Sequence, residues 1–527
     1  VRAATGHGEI DIPSLFRKEV HLSGLTLEGA HVRFTGGTPP APGAAPPGTR
    51  SSWSARFTDA RLAGDCEVEL AGYRFDGGLR AGGTLEWDGQ ELLLESASLD
   101  LARGRLRHGE ETVARALNLQ AEGRVEPFAP GRVMGLEGMR LLSGRFQVDG
   151  DIASLGFLQP YLEKASWLNL DGNGILRGDL RLERGLLLPG SRFSVSPARL
   201  KAEYLLSRAT GTADLTGTVV KKAGGVELDM QAVFGRFEVA ARGVPIAPPH
   251  IHGKGFRLAL STRDLDLAQK GKDFRIRLDL PAAEVADLTF YNAYLPTQSG
   301  VEIVSGAGRL SFWLEVETEG RSGKGEVALT SDGVRVRLND VELNGVLSLH
   351  APLASNDLRS TTFTLDGTRL SLDHVALREM GEEAEPEAKG PPGWWARLEL
   401  PQASMSWAQP LSVTGTVRLD MRDSGLLLSL FSRRQRYLKW FRRVLDVPGV
   451  AAQGKLRLDQ GAVVIDPLVA TGKGIELRTR LRLSRERRRG FLFVRRGSLA
   501  VGIELDGDRR DYRFIRPREW YDSRGDP

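Results

Sequence analysis

Eight histidines and one cysteine are the side chains in the 527 residues that could supply imidazole or thiolate chemistry. His250 and His252 stand two apart. On a strand that spacing puts both imidazoles on one face and supplies half of a metal site. No other His or Cys lies near them in sequence, so the pair reads as structural and no metal site is expected. Cys66, in the run Ala63–Glu69, excludes an intrachain disulfide and a cysteine-rich metal site by being alone. It is expected on a strand as a small buried hydrophobe rather than a nucleophile. There is no HExxH, and no GxSxG between a strand and a helix. Asp and Glu pairs abound, but without positions in space they carry no glycosidase signal. The expectation is a protein without catalysis, catalytic residues or cofactor, and a carbohydrate-active β-rich enzyme lacks a site.

Charge is the next candidate. The 72 basic residues, of which 13 are Lys, face 67 acidic ones for a net charge of +5. That balance does not point to a dedicated nucleic-acid binder. Residues 478–527 hold 15 Arg against 8 Asp and Glu. Arg487, Arg488 and Arg489 form one cluster; Arg495 and Arg496 form a second. Two readings stay open: a solvated hairpin, or a contact for anionic headgroups or an acidic partner.

The elements that carry these residues alternate at period 2. Phe274, Ile276, Leu278 and Leu280 fall on one face, with Arg275, Arg277 and Asp279 on the other. Val334, Val336 and Leu338 repeat the pattern against Arg335 and Arg337, as do Leu477, Leu481 and Leu483 against Arg478, Arg480 and Arg482. Each is a strand with one apolar and one wet face. Asp76–Gly78 and Asp88–Gly89 are expected as turns of antiparallel meanders. Three segments break the pattern. Leu155–Leu162 and Leu288–Leu295 read as short helical elements. Leu426–Leu445 is the strongest helix, with Leu430, Phe431, Leu438 and Phe441 in one stripe and Arg433, Arg434, Arg436, Lys439, Arg442 and Arg443 around it. Its stripe suits packing on a sheet or, alternatively, lying on a bilayer. Tyr161–Leu162, Tyr294–Leu295 and Tyr437–Leu438 mark a loose internal repeat, a short helix followed by a meander.

A chain of 527 residues exceeds one compact core. The segmentation expected is 1–150, β-rich with a Pro/Gly loop at 36–52; 151–285 and 286–425, two β-groove repeats, the second with an acidic loop at 381–393; and 426–527, the helix, a β region and a basic tail. No stretch approaches the roughly 18 apolar residues of a membrane helix. The class is mainly β: an elongated, curled antiparallel sheet forming a groove from repeated meanders, with a few short helices. Such a sheet must hide its apolar face. It does so either as a self-filled sandwich core or as an open trough, and a trough suits acyl chains, which gain about 0.8 kcal/mol per buried CH₂. Phe274, Ile276, Leu278, Val334, Val336 and Leu338 are the candidate groove lining.

From about residue 150 to 505 the chain resembles the AsmA-like proteins of Gram-negative envelopes, the group of AsmA, TamB and their relatives. The resemblance is carried by Asp287–Pro296 followed by Gly306–Leu310, by Val450–Ile465, and by Ala470–Arg478, a recurring strand, Gly-rich turn and strand. It implies a periplasmic β body tethered to the inner membrane by an anchor outside this chain. It further implies phospholipid as cargo, carried between inner and outer membranes along a hydrophobic groove, or a structural or chaperone-like role in outer-membrane protein assembly or envelope integrity with an outer-membrane or periplasmic partner. The family offers no catalytic residues to carry over. The Pro/Gly and Glu-rich insertions have no counterpart in it.

Overall fold

The structure, a computed structural model, describes residues 1–35, 52–70, 72–129, 135–165, 168–204, 207–241, 249–295, 301–317, 322–338, 341–357, 362–379, 393–406, 411–423, 448–458, 462–472, 474–484, 487–507 and 509–525. Strands account for 76% of the described residues. The expected helix at 426–445 lies outside them, as does Tyr437 of the third repeat. No helix among the described residues is long and apolar enough to cross a membrane. The chain divides into two compact units, Val1–Ala247 with Gly255–Ile276, and Pro248–Lys254 with Arg277–Pro527.

The first unit runs β1 (Thr5–Ile10), α1 (Ile12–Leu15), β2 (Glu19–Thr35), β3 (Ser54–Leu70), β4 (Tyr73–Trp87), β5 (Leu92–His108), β6 (Glu111–Phe128), β7 (Leu142–Ile152), β8 (Leu168–Glu183), β9 (Leu186–Leu187), β10 (Arg192–Tyr204), β11 (Ser207–Lys222) and β12 (Gly225–Ala241). β13 (Ile251–Gly253) belongs to the second unit and β14 (Arg257–Thr262) to the first. Neighbours pair as an antiparallel meander from β3 to β8, β10 joins β8, and the sheet continues through β11 and β12 to β14. Among the described pairings β2 and β3 alone run parallel, from Glu19↔Ser54 to Thr35↔Glu69. The turn from β8 to β9 shows how the meander closes. Arg184 and Gly185 both take positive φ, 49° and 76°, between the paired Glu183 and Leu186. Two such residues make the type I′ turn whose twist matches the strands.

The second unit contains most of β15 (Arg275–Val285), then β16 (Val301–Glu317), β17 (Gly323–Leu338), β18 (Val341–Asp357), β19 (Thr362–Thr364), β20 (Thr368–Glu379), β21 (Trp394–Ser406), β22 (Ser412–Asp423), β23 (Pro448–Leu458), β24 (Val463–Gly472), β25 (Ile475–Leu483), β26 (Arg488–Arg496), β27 (Leu499–Asp506), β28 (Arg509–Arg513) and α2 (Pro517–Asp522). The expected alternation is realised in β25, where Ile475, Leu477, Thr479, Leu481 and Leu483 are buried between half-buried neighbours. Ile475, Leu477, Leu481 and Leu483 belong to a large buried core that extends from Val341 and Leu343 to Ile503 and Leu505.

The short helical elements are 3₁₀ helices, at Gly156–Ala165 and Leu288–Tyr294, each followed by a long strand, β8 and β16. The repeat is conformational as well as textual. Gly172 and Gly306 occupy equivalent places in those strands, with φ of 156° and 151°. Asp88–Gly89 is a turn, as expected. Asp76–Gly78 is not: it lies inside β4 at a register shift. The Phe75 ring lies over Gly77 and over Gly104 of β5, so these glycines clear room for an aromatic ring rather than reverse the chain.

Candidate functional site

The apolar strand faces are covered to different degrees along the chain. In β25 of the second unit the inward side chains are sealed. In β2–β7 of the first unit the corresponding leucines stay half-buried, Leu62, Leu85, Leu94, Leu99 and Leu142 among them. They line a cavity of about 310 Å³ on the sheet face. That size falls at the lower end of the roughly 300–1,000 Å³ of small-molecule sites.

Three rows of paired residues build it. Phe57, Leu85, Leu94, Val125 and Leu142 stand side by side across β3–β7. The next row is Ala60, Gly83, Ala97, Gly123 and Gly144. Beyond it run Leu62, Ala81, Leu99, Ala121 and Phe146. A row of small residues, bordered on one side by large ones and on the other by Leu62, Leu99 and Phe146 alternating with alanines, is a furrow crossing the strands. Four inter-strand steps of about 4.8 Å make it about 19 Å long.

The local backbone follows from the same residues. The register shifts between Phe57 and Ala60, between Thr84 and Leu85, and between Leu94 and Ala97. These irregularities fall side by side at the border of the first two rows. Bulges bend the strands that carry them, so aligned bulges curl the sheet along a line. Gly123 and Gly144 pair so closely that a methyl group on Gly123 would sit 2.8 Å from the Gly144 Cα. Larger residues there would meet the backbone of the neighbouring strand and push the strands apart.

One end of the furrow is stoppered. Leu142 and Phe146 also pack into a cluster with Leu180, Leu182, Leu187 and Phe193, to which Leu265 and Leu267 contribute. Leu265 and Leu267 sit on a strap, residues 263–274, tied down at several points. The Leu187 N–H donates to the Leu265 carbonyl and the Leu267 N–H to that of Gly185, both at 3.0 Å. Arg140 grips Asp266 through Nε at 2.9 Å and Nη2 at 2.7 Å, and Lys164 reaches Asp273 at 2.8 Å. Inside the strap, buried Lys272 donates from Nζ to the carbonyls of Asp264 and Asp266, both at 2.7 Å. Burial pushes the Lys272 ammonium below its ordinary pKa. The Tyr161 hydroxyl donates to the Leu267 carbonyl at 3.0 Å, and burial pushes this phenol up to about 12.

The groove residues expected from the sequence fall elsewhere. Phe274, Ile276, Leu278 and Val334 are buried, Ile276 completely, while Val336 and Leu338 are half-buried. None of them lines the furrow. The furrow's own residues carry the same period-2 signal. Their distinguishing mark is Ala and Gly at inward positions of adjacent strands, which becomes visible only once the register is known.

The two arginine clusters separate. Arg487 makes a two-pronged pair with Asp506, Nε to Oδ1 and Nη2 to Oδ2 at 2.6 Å each, and Arg489 approaches the same carboxylate at 3.4 Å. The Arg487 guanidinium holds the Asp506 carboxyl below its usual range. Arg488 lies in the same turn region, at the start of β26. Arg495 and Arg496 lie at the opposite end of β26, where Arg495 pairs with Glu476 at 2.8 Å.

The groups able to do chemistry are dispersed. Among the described residues no three of His, Cys, Asp and Glu gather as a metal site. His250 is buried, and its Nδ1 finds no hydrogen-bond partner among the described atoms. His252 is half-buried and meets Glu284 at 3.1 Å. Cys66 is buried with Phe75 and Leu79, and burial first, then Asp65 and Asp76, pushes its thiol up. The furrow's surface is mostly hydrocarbon, with Arg61 and Arg124 among its lining residues. No family model, curated protein or solved structure matches the chain.

Proposed function

We propose that this chain holds lipid acyl chains in the furrow of its first unit and performs no catalysis. The observation that carries the reading is the furrow itself: an apolar cavity left open across five strands, whereas the inward side chains of β25 in the second unit are buried. A hydrocarbon chain laid along it gains about 0.8 kcal/mol for each methylene taken out of water. An apolar wall distinguishes poorly between chains that differ by a methylene, so one particular lipid is not selected. The resemblance to AsmA-like proteins supports phospholipid as the cargo. It also supports an envelope setting, with the protein tethered to the inner membrane and passing lipid between inner and outer membranes.

A second reading is favoured by the sealed core of the second unit. There the sheet fills itself, and the role is structural or chaperone-like toward an outer-membrane or periplasmic protein.

Lipid extraction and native mass spectrometry of the purified chain test the first reading. Phospholipid is expected to co-purify, and Leu99→Asp, at a half-buried furrow position that also packs beside Cys66 and Phe75, should lower it several-fold while the circular dichroism spectrum stays that of the folded chain. A photo-reactive residue at position 99 should crosslink to lipid. A folded chain that retains no lipid and gives no such crosslink sinks the acyl-chain reading and leaves the structural one.

A further inference from the structure

At one end of β26–β28 the second unit exposes apolar side chains among arginines. β27 and β28 pair as far as Gly502↔Arg513, after which the chain turns through Phe514, Ile515 and Arg516 into α2. Phe514 is 68% exposed and Ile515 87%. Leu499, 60% exposed, lies at this same end, paired with Arg496 across the turn from β26 to β27. The six guanidinium groups here belong to Arg478, Arg495, Arg496, Arg513, Arg516 and Arg518. Three carboxylates pair with them: Glu476, with Arg478, Arg495 and Arg518, Glu519 beside Arg516, and Asp522 beside Arg518.

The corner is held firmly. On one side β28 fixes Arg513 against Gly502. On the other, Tyr521 is buried against Phe493 and Trp520 covers Gly502. The Arg518 guanidinium lies 5.3 Å from the centre of the Phe493 ring. Phe514 and Ile515 are therefore presented to solvent by a packed scaffold, where folding inward would have hidden them. Exposed aromatic and aliphatic side chains clustered among cations mark interaction surfaces. Their chemistry matches an anionic bilayer, where aromatic rings settle at headgroup level and basic side chains meet phosphates.

We propose that this corner docks the protein on an anionic bilayer surface. Phe514, Ile515 and Leu499 enter the headgroup boundary, and Arg513 and Arg516 contact lipid phosphates. The surface is separate from the furrow and does not depend on it. Docking fails or holds on vesicle binding, and acyl-chain holding on co-purified lipid.

Flotation of the full chain with vesicles tests the proposal. The protein should float with vesicles of phosphatidylcholine mixed with phosphatidylglycerol and much less with phosphatidylcholine alone. Added salt should weaken the binding. Phe514→Ser with Ile515→Ser should reduce binding at least about tenfold, while Leu99→Asp in the furrow leaves it unchanged. Both serines replace exposed side chains, and an unchanged circular dichroism spectrum checks the fold. As an independent readout, a chain carrying Phe514→Trp should shift its emission to the blue on adding the anionic vesicles and be quenched by brominated acyl chains. No flotation, or flotation insensitive to the double substitution, overturns the proposal. So does self-association without vesicles that the double substitution abolishes, which assigns the corner to a second copy of the chain.

Discussion

The imidazole of His250 lies flat on the ring of Phe290, with centroids 3.5 Å apart and planes 11° from parallel, and Tyr291 stands edge-on to it at 6.2 Å. The stack sits where residues 249–253 meet the 3₁₀ helix Leu288–Tyr294, and the His250 carbonyl accepts the Ala286 N–H. Burial pushes the His250 imidazole down to about 4. In the unfolded chain it titrates near 6.5. Between these values the unfolded state binds a proton that the folded state refuses, so protonation favours unfolding. The stabilisation is intact above about pH 6.5 and lost as pH falls toward about 4, to a limit of about 3 kcal/mol. Carboxylates titrate in the same window, so the comparison must be with His250→Leu. The stability difference between pH 7 and pH 4.5, from urea melts, should shrink in the variant. An unchanged difference would exclude His250 as a source of acid sensitivity.

Cys66 serves as a reporter on the first unit. It is 3% exposed, and its raised pKa keeps it a thiol at neutral pH. Reaction with a thiol reagent requires both access and thiolate. Labelling of the native protein should therefore be slow, and should accelerate over the denaturant range in which the first unit opens. Native-state labelling as fast as that of a free thiol would contradict this burial.

How far the sequence carried the architecture differs from element to element. The period-2 runs at 274–280 and 477–483 marked strands and their inward faces correctly, because a one-residue slip would turn every arginine inward. The short helices near Leu155 and Leu288 were visible as breaks in that period. Asp76–Gly78 was misread as a turn because a glycine pair signals a reversal and a ring platform alike. The furrow was not legible. Ala60, Gly83, Ala97, Gly123 and Gly144 come from five strands spread over 85 positions, and only the pairing register puts them in one row. Phe274 and Ile276 look like trough residues in sequence, since alternation reports which face is apolar and not whether something covers it.

The small-residue row makes a discriminating pair of substitutions. Gly123→Ala places a methyl group against the Ser143 carbonyl and the Gly144 Cα. It should cost about 2 kcal/mol or more through backbone displacement. Ala97→Leu adds bulk that points along the furrow. It should leave the melting temperature nearly unchanged while reducing bound lipid. Thermal melts and lipid quantification on the same preparations check both. Equal destabilisation by the two would mean that the row is packed core rather than an open channel.

The strap at the furrow's closed end depends on one buried cation. Lys272 is 5% exposed, and its ammonium bridges the carbonyls of Asp264 and Asp266. Lys272→Met preserves length and removes the donors, leaving two carbonyls without their partner at about 1–3 kcal/mol each. The strap's outer ties, Arg140 to Asp266 and Lys164 to Asp273, are exposed ion pairs and compensate little. Loss should therefore begin locally, with residues 263–274 opening before the sheet unfolds. The Leu267 amide, bonded to the Gly185 carbonyl, is the reporter. Its hydrogen exchange should accelerate by at least about tenfold in Lys272→Met, since about 1.4 kcal/mol of local stability corresponds to that factor. Amides in the middle of β11 should keep their protection. Unchanged exchange at Leu267 would show that the apolar contacts of Leu265 and Leu267 hold the strap without the lysine.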